Sequence, residues 1–452
     1  MKPRTLLLRM RNNKVINNAK WIIICKAAQA ILQLVIGMLS ARYLGPSNYG
    51  LINYAKSIVA FVLPITQLGL STTLVREFVE QPHREGEIMG TSLLMSFLSS
   101  LTGIFLVTGF ISVANRGEME TLLVCLLYSI SLLFQAIELI RYWFHYKLQS
   151  KIPSLMMLVA YLASATYKIF LLASGKSVYW FALAYALECG VVGLSLLVIY
   201  RKNSGQTLRV SLGMAKSLFS RSRYYILSAL MVTLFQNTDH VMLTLIAGDV
   251  ENGIYTAAIT CAGIGAFVYA AIIDSARPMI LSYRKEKDPE YPKSLSKLYC
   301  IIVYLSLLQG IVFALLAKPI VLILYGQDYA DAVPVLQILV WYLSFSQMGR
   351  IRNIWILAEE KQKILWKINL AGALANAGIN ALLIPVWGAA GAAFASLVTQ
   401  VFTNFVLGFV LKQLRENNRL LLNGISPAFF LSILRDTFHK MNTYTRGNKY
   451  DE

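Results

Sequence analysis

The sequence predicts an all-α integral membrane protein that crosses a bilayer about twelve times. Hydrophobic residues make up 56% of its 452 positions and charged residues only 14%, whereas soluble domains carry roughly 25% charged residues. Apolar runs of about 20 residues, each long enough to cross a hydrocarbon core as a helix, recur along the whole chain. They are too long and too uniformly apolar for the alternating strands of a membrane barrel.

Twelve apolar runs are predicted to span the membrane. They cover residues 19–42, 51–74, 88–113, 121–142, 154–174, 178–200, 223–247, 254–279, 298–317, 334–357, 364–384 and 389–411. A helix satisfies every backbone polar group within its own segment, which lipid requires. The first run is too long for a signal peptide and has no small-residue cleavage site, so we expect it to be a span.

The distribution of basic residues predicts the orientation of the chain. Five Lys or Arg residues precede the first span and seven follow the last, whereas the segments on the opposite side hold four in all. Cytoplasmic segments carry such an excess of positive charge, so both termini are expected in the cytoplasm. The net charge of +19 therefore records topology and does not indicate a nucleic-acid partner. Inner basic residues such as Arg201 and Lys202 favour contact with anionic lipid headgroups.

A short motif indicates that the chain consists of two related halves. Leu44–Gly50 after the first span and Ala247–Gly253 after the seventh carry two glycines at the same spacing, and an alanine follows each at the same distance. Six helices separate the two stretches, so both lie on the outer side, and the halves would be related by an axis along the membrane normal. A chance match between two short outer turns is the alternative.

The basic segment 201–222 is the predicted linker between the halves. It divides the chain into an N-terminal lobe, 1–210, and a C-terminal lobe, 211–412, with six helices each. Residues 413–452 are too charged to span and are expected to form a cytoplasmic tail. A disordered tail is one expectation, and an interfacial helix is the other. One side of such a helix would hold Phe429, Phe430, Ile433, Leu434 and Phe438.

Ionisable residues inside the spans mark the candidate site, because each costs roughly 2.5 to 3.5 kcal/mol to insert. The predicted cationic, substrate-binding residues are Lys26, Lys56, Lys168, Arg277 and Arg350. The predicted ion-coupling residues are Asp239, Glu188 and Asp274. The lysines have no carboxylate partner in their own helices, which favours an aqueous cavity suited to an anion.

Several of these ionisable residues also have a purely structural interpretation. Arg277, Arg350 and Arg352 lie within two turns of the predicted inner ends, where snorkelling to the headgroups explains them equally well. Asp239 and Asp274 would equally serve to neutralise a neighbouring Lys or Arg.

No motif for catalysis, nucleotide binding or metal binding is present in the sequence. There is no GxxxxGK[ST] loop, no HExxH and no Ser/His/Asp arrangement, so we expect neither an ATP-driven pump nor catalytic residues. The five cysteines form no CxxC motif or Cys/His cluster, so no metal site, cofactor or disulfide is predicted. The outer loops are also shorter than those usual in membrane glycosyltransferases and polymerases.

Four stretches in order along the chain carry a family resemblance. They are Ala41–Pro46 with Tyr49, Gly50 and Leu68–Leu70; Asp239 with Gly253–Tyr255 and Ala257–Ala258; Leu324–Gly326 with Tyr329, Ala332 and Leu336; and Asn380–Pro385 with Gly388 and Gly391–Ala393. In this order and spacing they resemble the polysaccharide biosynthesis, O-antigen flippase (Wzx-type) branch of the multidrug/oligosaccharidyl-lipid/polysaccharide exporter (MOP) superfamily.

The resemblance implies a MATE-like fold of two six-helix lobes around a central cavity. It also implies a flippase that moves an undecaprenyl-diphosphate-linked oligosaccharide across the bacterial inner membrane by alternating access, for O-antigen, lipopolysaccharide or another surface polysaccharide. Lys26, Lys56, Lys168 and Arg277 would then face the diphosphate.

The resemblance leaves the driving force and the partners as further expectations. Without an ATP site, we expect antiport of H⁺ or Na⁺ through Asp239 or Glu188. A polysaccharide polymerase and chain-length proteins are the expected protein partners. The alternatives are a multidrug or other lipid-precursor exporter of the same fold and, from another class, a membrane polymerase or ligase of the glycan pathway.

Overall fold

The computed structural model describes residues 14–433 and 435, with the side chains of Cys25 and of residues from 28 onward. In this part of the chain every regular element is helical, which confirms the predicted all-α fold class. The α-helices are α1 (Lys14–Thr66), α2 (Leu70–Glu80), α3 (Glu85–Ala114), α4 (Met119–Ser129), α5 (Ser131–Ile137), α6 (Arg141–Tyr146), α7 (Lys151–Ala173), α8 (Val178–Asn203), α9 (Leu212–Ala247), α10 (Asp249–Ala262), α11 (Ala266–Lys285), α12 (Glu290–Leu315), α13 (Ala317–Leu324), α14 (Ala332–Ala358), α15 (Leu365–Val401), α16 (Leu407–Val410) and α17 (Arg415–Ile425).

Nine helical stretches of the described residues are long and apolar enough to cross a membrane. Ala28–Glu80 covers the first predicted span from residue 28 onward and all of the second, and Gln362–Val410 covers the last two as far as residue 410. The seventh predicted span lies in α9, where the polar residues from Gln236 to His240 lower the mean hydropathy. The nine stretches are therefore consistent with twelve crossings, and the chain is a multi-pass membrane protein.

The helices pack into two compact units. Unit 1 ends at Thr256, and unit 2 begins at Ala257. Unit 1 contains two clusters of buried side chains, one around Tyr54 and one around Trp143. Unit 2 is built around a cluster that includes Trp355. The predicted lobe boundary between residues 210 and 211 stays a prediction.

Several predicted spans are interrupted where a continuous helix was expected, among them 51–74 and 121–142. α1 ends at Thr66, two residues after Pro64, and the positive φ angles of Leu68 (51°) and Gly69 (64°) separate it from α2. The predicted span 121–142 likewise consists of α4, α5 and α6, with a 3₁₀ turn at Glu138–Ile140. Such breaks at membrane depth are tolerated where neighbouring protein covers the backbone, which hydropathy alone does not report.

The two stretches of the predicted repeat have matching backbone conformations and contact each other within unit 1. Gly45 (φ 72°, ψ 171°) and Gly248 (φ 94°, ψ 174°) both occupy a region that is open essentially to glycine alone. A Cβ atom at Gly50 would collide with the carbonyl of Asp249, and one at Gly253 would collide with the carbonyl of Pro46. The contact is therefore reciprocal, which supports the repeat at the level of these two loops.

The predicted linker between the lobes is bound to α3. The Gly86 amide donates to Oε1 of Gln206 (2.9 Å), and the Gly86 carbonyl accepts from the amide of Arg209 (3.2 Å). The Ser211 amide donates to Oγ1 of Thr91 (3.1 Å). Because Gly86 has no side chain, the backbone of Thr207 can lie directly against it. This segment is thus part of unit 1 and not a free connection.

The first part of the predicted tail packs onto α12 of unit 2. Two side chains of α12 donate to backbone carbonyls of α17. Ser296 Oγ donates to the Leu420 carbonyl (3.0 Å), and Tyr304 Oη donates to the Ile425 carbonyl (2.9 Å). Beyond α17, Phe430 stacks on Tyr304 with ring centroids 3.9 Å apart. Leu434 and Phe438, from the predicted interfacial face, lie outside the described residues.

The reciprocal glycine contact predicts an intolerance of any side chain at Gly253. We expect Gly253→Ala to lower the free energy of unfolding by about 1 to 3 kcal/mol, because the new Cβ meets backbone of residue 46 that cannot rotate away. The measurement is the temperature of thermal unfolding in lipid nanodiscs. Gly109→Ala is the control, since a Cβ there would meet nothing within 4 Å. Equal unfolding temperatures for the two variants would contradict the prediction.

Candidate functional site

A buried polar cluster joins α9, α10 and Gly50, the last residue of the repeat stretch Leu44–Gly50, all within unit 1. Asp239 is only 8% exposed, and Oη of Tyr255 donates to its carboxylate (2.8 Å). Asn252 is fully buried, and its Nδ2 donates to the carbonyl of Gly50 (2.8 Å). Its Oδ1 can only accept, so Nδ1 of His240 donates to it (2.8 Å). The cluster thus connects the two repeat loops through side chains.

Three of the predicted site residues, on α1, α7 and α8, lie within electrostatic range of a neighbour in the set. The charges of Lys56 and Lys168 are close enough to repel each other, and the charge of Glu188 is close enough to attract Lys168. Lys56 also lies within electrostatic range of His240. The Lys56 side chain is exposed in this part of α1. We call Lys56, Lys168 and Glu188 the lysine cluster.

The structure describes the remaining predicted cations in different surroundings. In α11 of unit 2, Arg277 pairs with Asp274 (3.2 Å), and both side chains are at least half exposed. The exposed Arg350 donates weakly to Oε1 of Gln347 (3.5 Å). Lys26 lies in α1, but its side chain is outside the described residues. Asp274 thus neutralises Arg277, which is one of its two interpretations. The binding and coupling roles of these residues stay predictions.

Arg352 differs from its sequence-based interpretation as a snorkelling residue. It is 6% exposed, and its Nη1 donates to the carbonyl of Thr403 (2.6 Å). Thr403 lies in a π-turn at Phe402–Val406, where the regular helical pairing of carbonyls is disturbed. The arginine thus turns into unit 2 to contact this turn, and the snorkelling interpretation is wrong for it.

A cavity of about 290 Å³ lies between the second half of α1 and α9. Its lining includes Leu63, Pro64, Gln67, Tyr225, Gln236 and Asn237. Sequence reasoning noted Pro64 and the stretch Leu68–Leu70 but missed the amide side chains as candidate binding residues. The available signal was the presence of Gln and Asn inside otherwise apolar spans, since such side chains need partners in lipid.

Beyond this cavity, α2 and α9 contact each other closely. A Cβ at Gly69 would lie 2.7 Å from the carbonyl of Ser222. Nη1 of Arg221 donates to both Glu77 and Glu80, at 2.8 Å in each case, and these hydrogen bonds, that of Glu80 foremost, raise the pKa of Arg221. The Glu77 side chain is 1% exposed, so removal of Arg221 would leave a buried carboxylate without its basic partner. We call Gly69, Glu77, Glu80, Arg221 and Ser222 the α2–α9 contact.

Known proteins share both family and fold with this chain. Residues 15–284 match the family model described as "Polysaccharide biosynthesis protein". The chain is 22% identical to the capsular polysaccharide biosynthesis protein CapF of Staphylococcus aureus over 394 residues, which make up 85% of this chain and 96% of CapF.

Two solved structures have the same fold. The lipid II flippase MurJ in an inward closed conformation has a TM-score of 0.69 at 16% identity, with 92% of each chain covered. An inward-facing multidrug resistance MATE family transporter of the MOP superfamily has a TM-score of 0.64 at 15% identity, covering 88% of this chain and 96% of the transporter. The MATE-like fold is therefore confirmed. The two proteins whose structures match are a flippase and a transporter.

The polar cluster predicts that Asn252 is required for stability. Asn252→Leu would leave the Gly50 carbonyl and Nδ1 of His240 without their partner, and each unsatisfied group costs about 1 to 3 kcal/mol. We expect a lower unfolding temperature in nanodiscs. Asn203→Leu is the matched control, because this exposed residue ends α8. If the two variants unfold at the same temperature, the cluster does not stabilise unit 1.

Proposed function

Because the chain belongs to the polysaccharide biosynthesis protein family, we propose that it moves an undecaprenyl-diphosphate-linked oligosaccharide across the bacterial inner membrane. A glycan headgroup cannot cross hydrocarbon unaided, since its hydroxyls and phosphates would lose their hydrogen bonds to water. A membrane protein with polar internal surfaces removes that barrier. The role of CapF in capsular polysaccharide biosynthesis supports a surface glycan, such as O-antigen or capsule, as the product served.

The lysine cluster is the observation that carries this proposal. Two lysines from different helices lie within electrostatic range of each other, and one acidic side chain, Glu188, lies within range of Lys168, so basic side chains outnumber acidic ones in the cluster. A bound diphosphate would relieve the repulsion between Lys56 and Lys168, because its negative charge offsets the charge of both lysines. Lys26, Arg277 and Arg350 remain proposed members of the cationic lining.

Two close contacts between α1–α2 and the α9–α10 region support transport by alternating access. One is the reciprocal packing of Gly50 and Gly253, and the other is the α2–α9 contact around Gly69 and Arg221. The cavity lies between them along α1 and α9. Opening these contacts in turn would expose the cavity to one side of the membrane and then to the other. In the proposed orientation both termini are cytoplasmic.

Asp239 is the proposed ion-coupling residue, with Glu188 as the second candidate. A carboxylate that is 8% exposed in a membrane helix is a plausible carrier of H⁺ or a ligand for Na⁺. Its hydrogen bond from Tyr255 links it to α10, which begins at the repeat loop. Binding of an ion at Asp239 would thus act on the contact between the two loops. A polysaccharide polymerase and chain-length proteins are the proposed downstream partners.

Removing either lysine should reduce transport. We expect Lys56→Gln and Lys168→Gln each to slow the movement of polyprenyl-diphosphate-linked oligosaccharide in proteoliposomes about tenfold or more, because a charge-assisted contact to the diphosphate is lost. Lys176→Gln is the control, since Lys176 is exposed in the turn between α7 and α8. Normal transport by both variants, or transport of lipophilic cations in place of the lipid-linked substrate, would reject the proposal in favour of a multidrug exporter.

Ion coupling predicts a selective effect of Asp239→Asn. This variant keeps the size of the side chain but cannot carry a proton or the charge that holds Na⁺, so an imposed pH or Na⁺ gradient should no longer accelerate transport. Equilibrium binding of the substrate should persist. Parallel measurements on Glu188→Gln and Asp274→Asn assign the role: if Asp239→Asn still responds to the gradient and Glu188→Gln does not, the coupling residue is Glu188.

A further inference from the structure

The cavity between α1 and α9 differs in chemistry from the lysine cluster beside it. All the residues that line it are uncharged. Its polar side chains are amides and hydroxyls, among them Gln67, Gln236 and Thr233, and its apolar surface includes Leu63 and Tyr225. A diphosphate or a carboxylate would find no cation in this lining, and an amine would find no carboxylate.

Helical spacing places the cavity directly beside Lys56. On α1, Lys56 precedes the lining residue Ala60 by four positions, which is one turn or about 5.4 Å along the axis. On α9, His240 follows Gln236 by four positions. Lys56 and His240, which lie within electrostatic range of each other, therefore mark the same end of the cavity. The approach of Gly69 to Ser222 marks the opposite end.

Much of the hydrogen-bonding capacity of this lining is unused. Within the described part of the chain, the amide groups of Gln67 and Gln236 make no hydrogen bond. Asn237 donates through Nδ2 to the Thr233 carbonyl (3.0 Å), which leaves its Oδ1 as an acceptor. Each amide offers both donors and an acceptor. Such groups inside membrane-spanning helices are costly unless water or a ligand satisfies them.

We propose that this cavity binds an uncharged sugar ring of the transported headgroup, next to a diphosphate at Lys56 and Lys168. The inference rests on the proposed function and adds a second part to its binding site. Sugar hydroxyls both donate and accept, as the amides do, and the apolar Leu63, Pro64 and Tyr225 suit the C–H faces of a ring. An acyl chain would leave the amides unsatisfied, and a lipophilic cation would lack a counter-charge.

The size of the cavity limits what it holds. Its volume of about 290 Å³ is at the lower end of the range for small-molecule sites, so it takes one or two rings and not a long oligosaccharide. Since Lys56 lies one turn away, the ring bound here is one attached close to the diphosphate. The remaining sugars would extend beyond this cavity.

Binding measurements in nanodiscs test this assignment with two probes. The first is a polyprenyl diphosphate without sugar, and the second is the same lipid with one uncharged hexose. We expect the wild-type chain to bind the hexose form about tenfold more tightly, as two added amide hydrogen bonds allow. In the double variant Gln67→Leu/Gln236→Leu, this difference should vanish while the affinity for the sugar-free lipid changes little.

Control variants separate the sugar subsite from general damage. Gln149→Leu makes the same substitution at an exposed amide outside the cavity and should keep the tenfold preference. Gln236→Asn, which keeps the amide but shortens it, should give a partial loss and serves if the double variant does not fold. Lys56→Gln should weaken both lipids alike.

The possible failures are distinguishable. If the wild-type chain binds both lipids equally, or if the double variant loses both to the same extent, the cavity is not a sugar subsite, although a diphosphate site at the lysines still stands. If the wild-type chain binds neither lipid, the proposed function fails and this inference fails with it.

Discussion

Hydrocarbon offers no hydrogen-bond partner, so the protein itself has to satisfy every irregular or polar stretch of this chain within the membrane. The described structure repeatedly meets this constraint with one side chain aimed at one backbone group. Asn252 satisfies the carbonyl of Gly50, and Arg352 donates to the carbonyl of Thr403 in the π-turn. In each case a polar side chain satisfies a backbone carbonyl at a particular break in the helices.

The same constraint explains why glycine occupies the closest contacts of unit 1. Apolar side chains gain little by leaving lipid for a helix interface, so packing depends on how closely the backbones approach. Gly50 and Gly253 allow the two repeat loops to meet, and Gly69 allows the start of α2 to lie against α9. Between these contacts the helices leave a cavity, in which the amide groups of Gln67 and Gln236 make no hydrogen bond within the described part of the chain. Close contacts and cavity are thus consequences of one arrangement of α1 and α9.

The charged residues fall into two groups, according to whether an opposite charge neutralises them. Arg277 and Asp274 neutralise each other three positions apart on one helix, and Arg221 binds two carboxylates of α2. The lysine cluster, by contrast, brings two cations together beside one carboxylate. The proposed transport of a diphosphate would use such an excess of basic side chains, whereas a purely structural role would favour full pairing.

The sequence by itself determined the all-α membrane class, the approximate positions of the spans and the match between the two glycine loops, because hydropathy and turn chemistry are properties of adjacent residues. It also indicated Lys56, Lys168, Glu188 and Asp239 as unusual, since a charge in an apolar run is visible locally. Only the tertiary structure decided which of them meet, because pairing between helices depends on rotations and breaks that no single helix records. The burial of Arg352, the amide-lined cavity beside Lys56 and the attachment of the 201–222 segment to α3 all arise from contacts between residues distant in sequence.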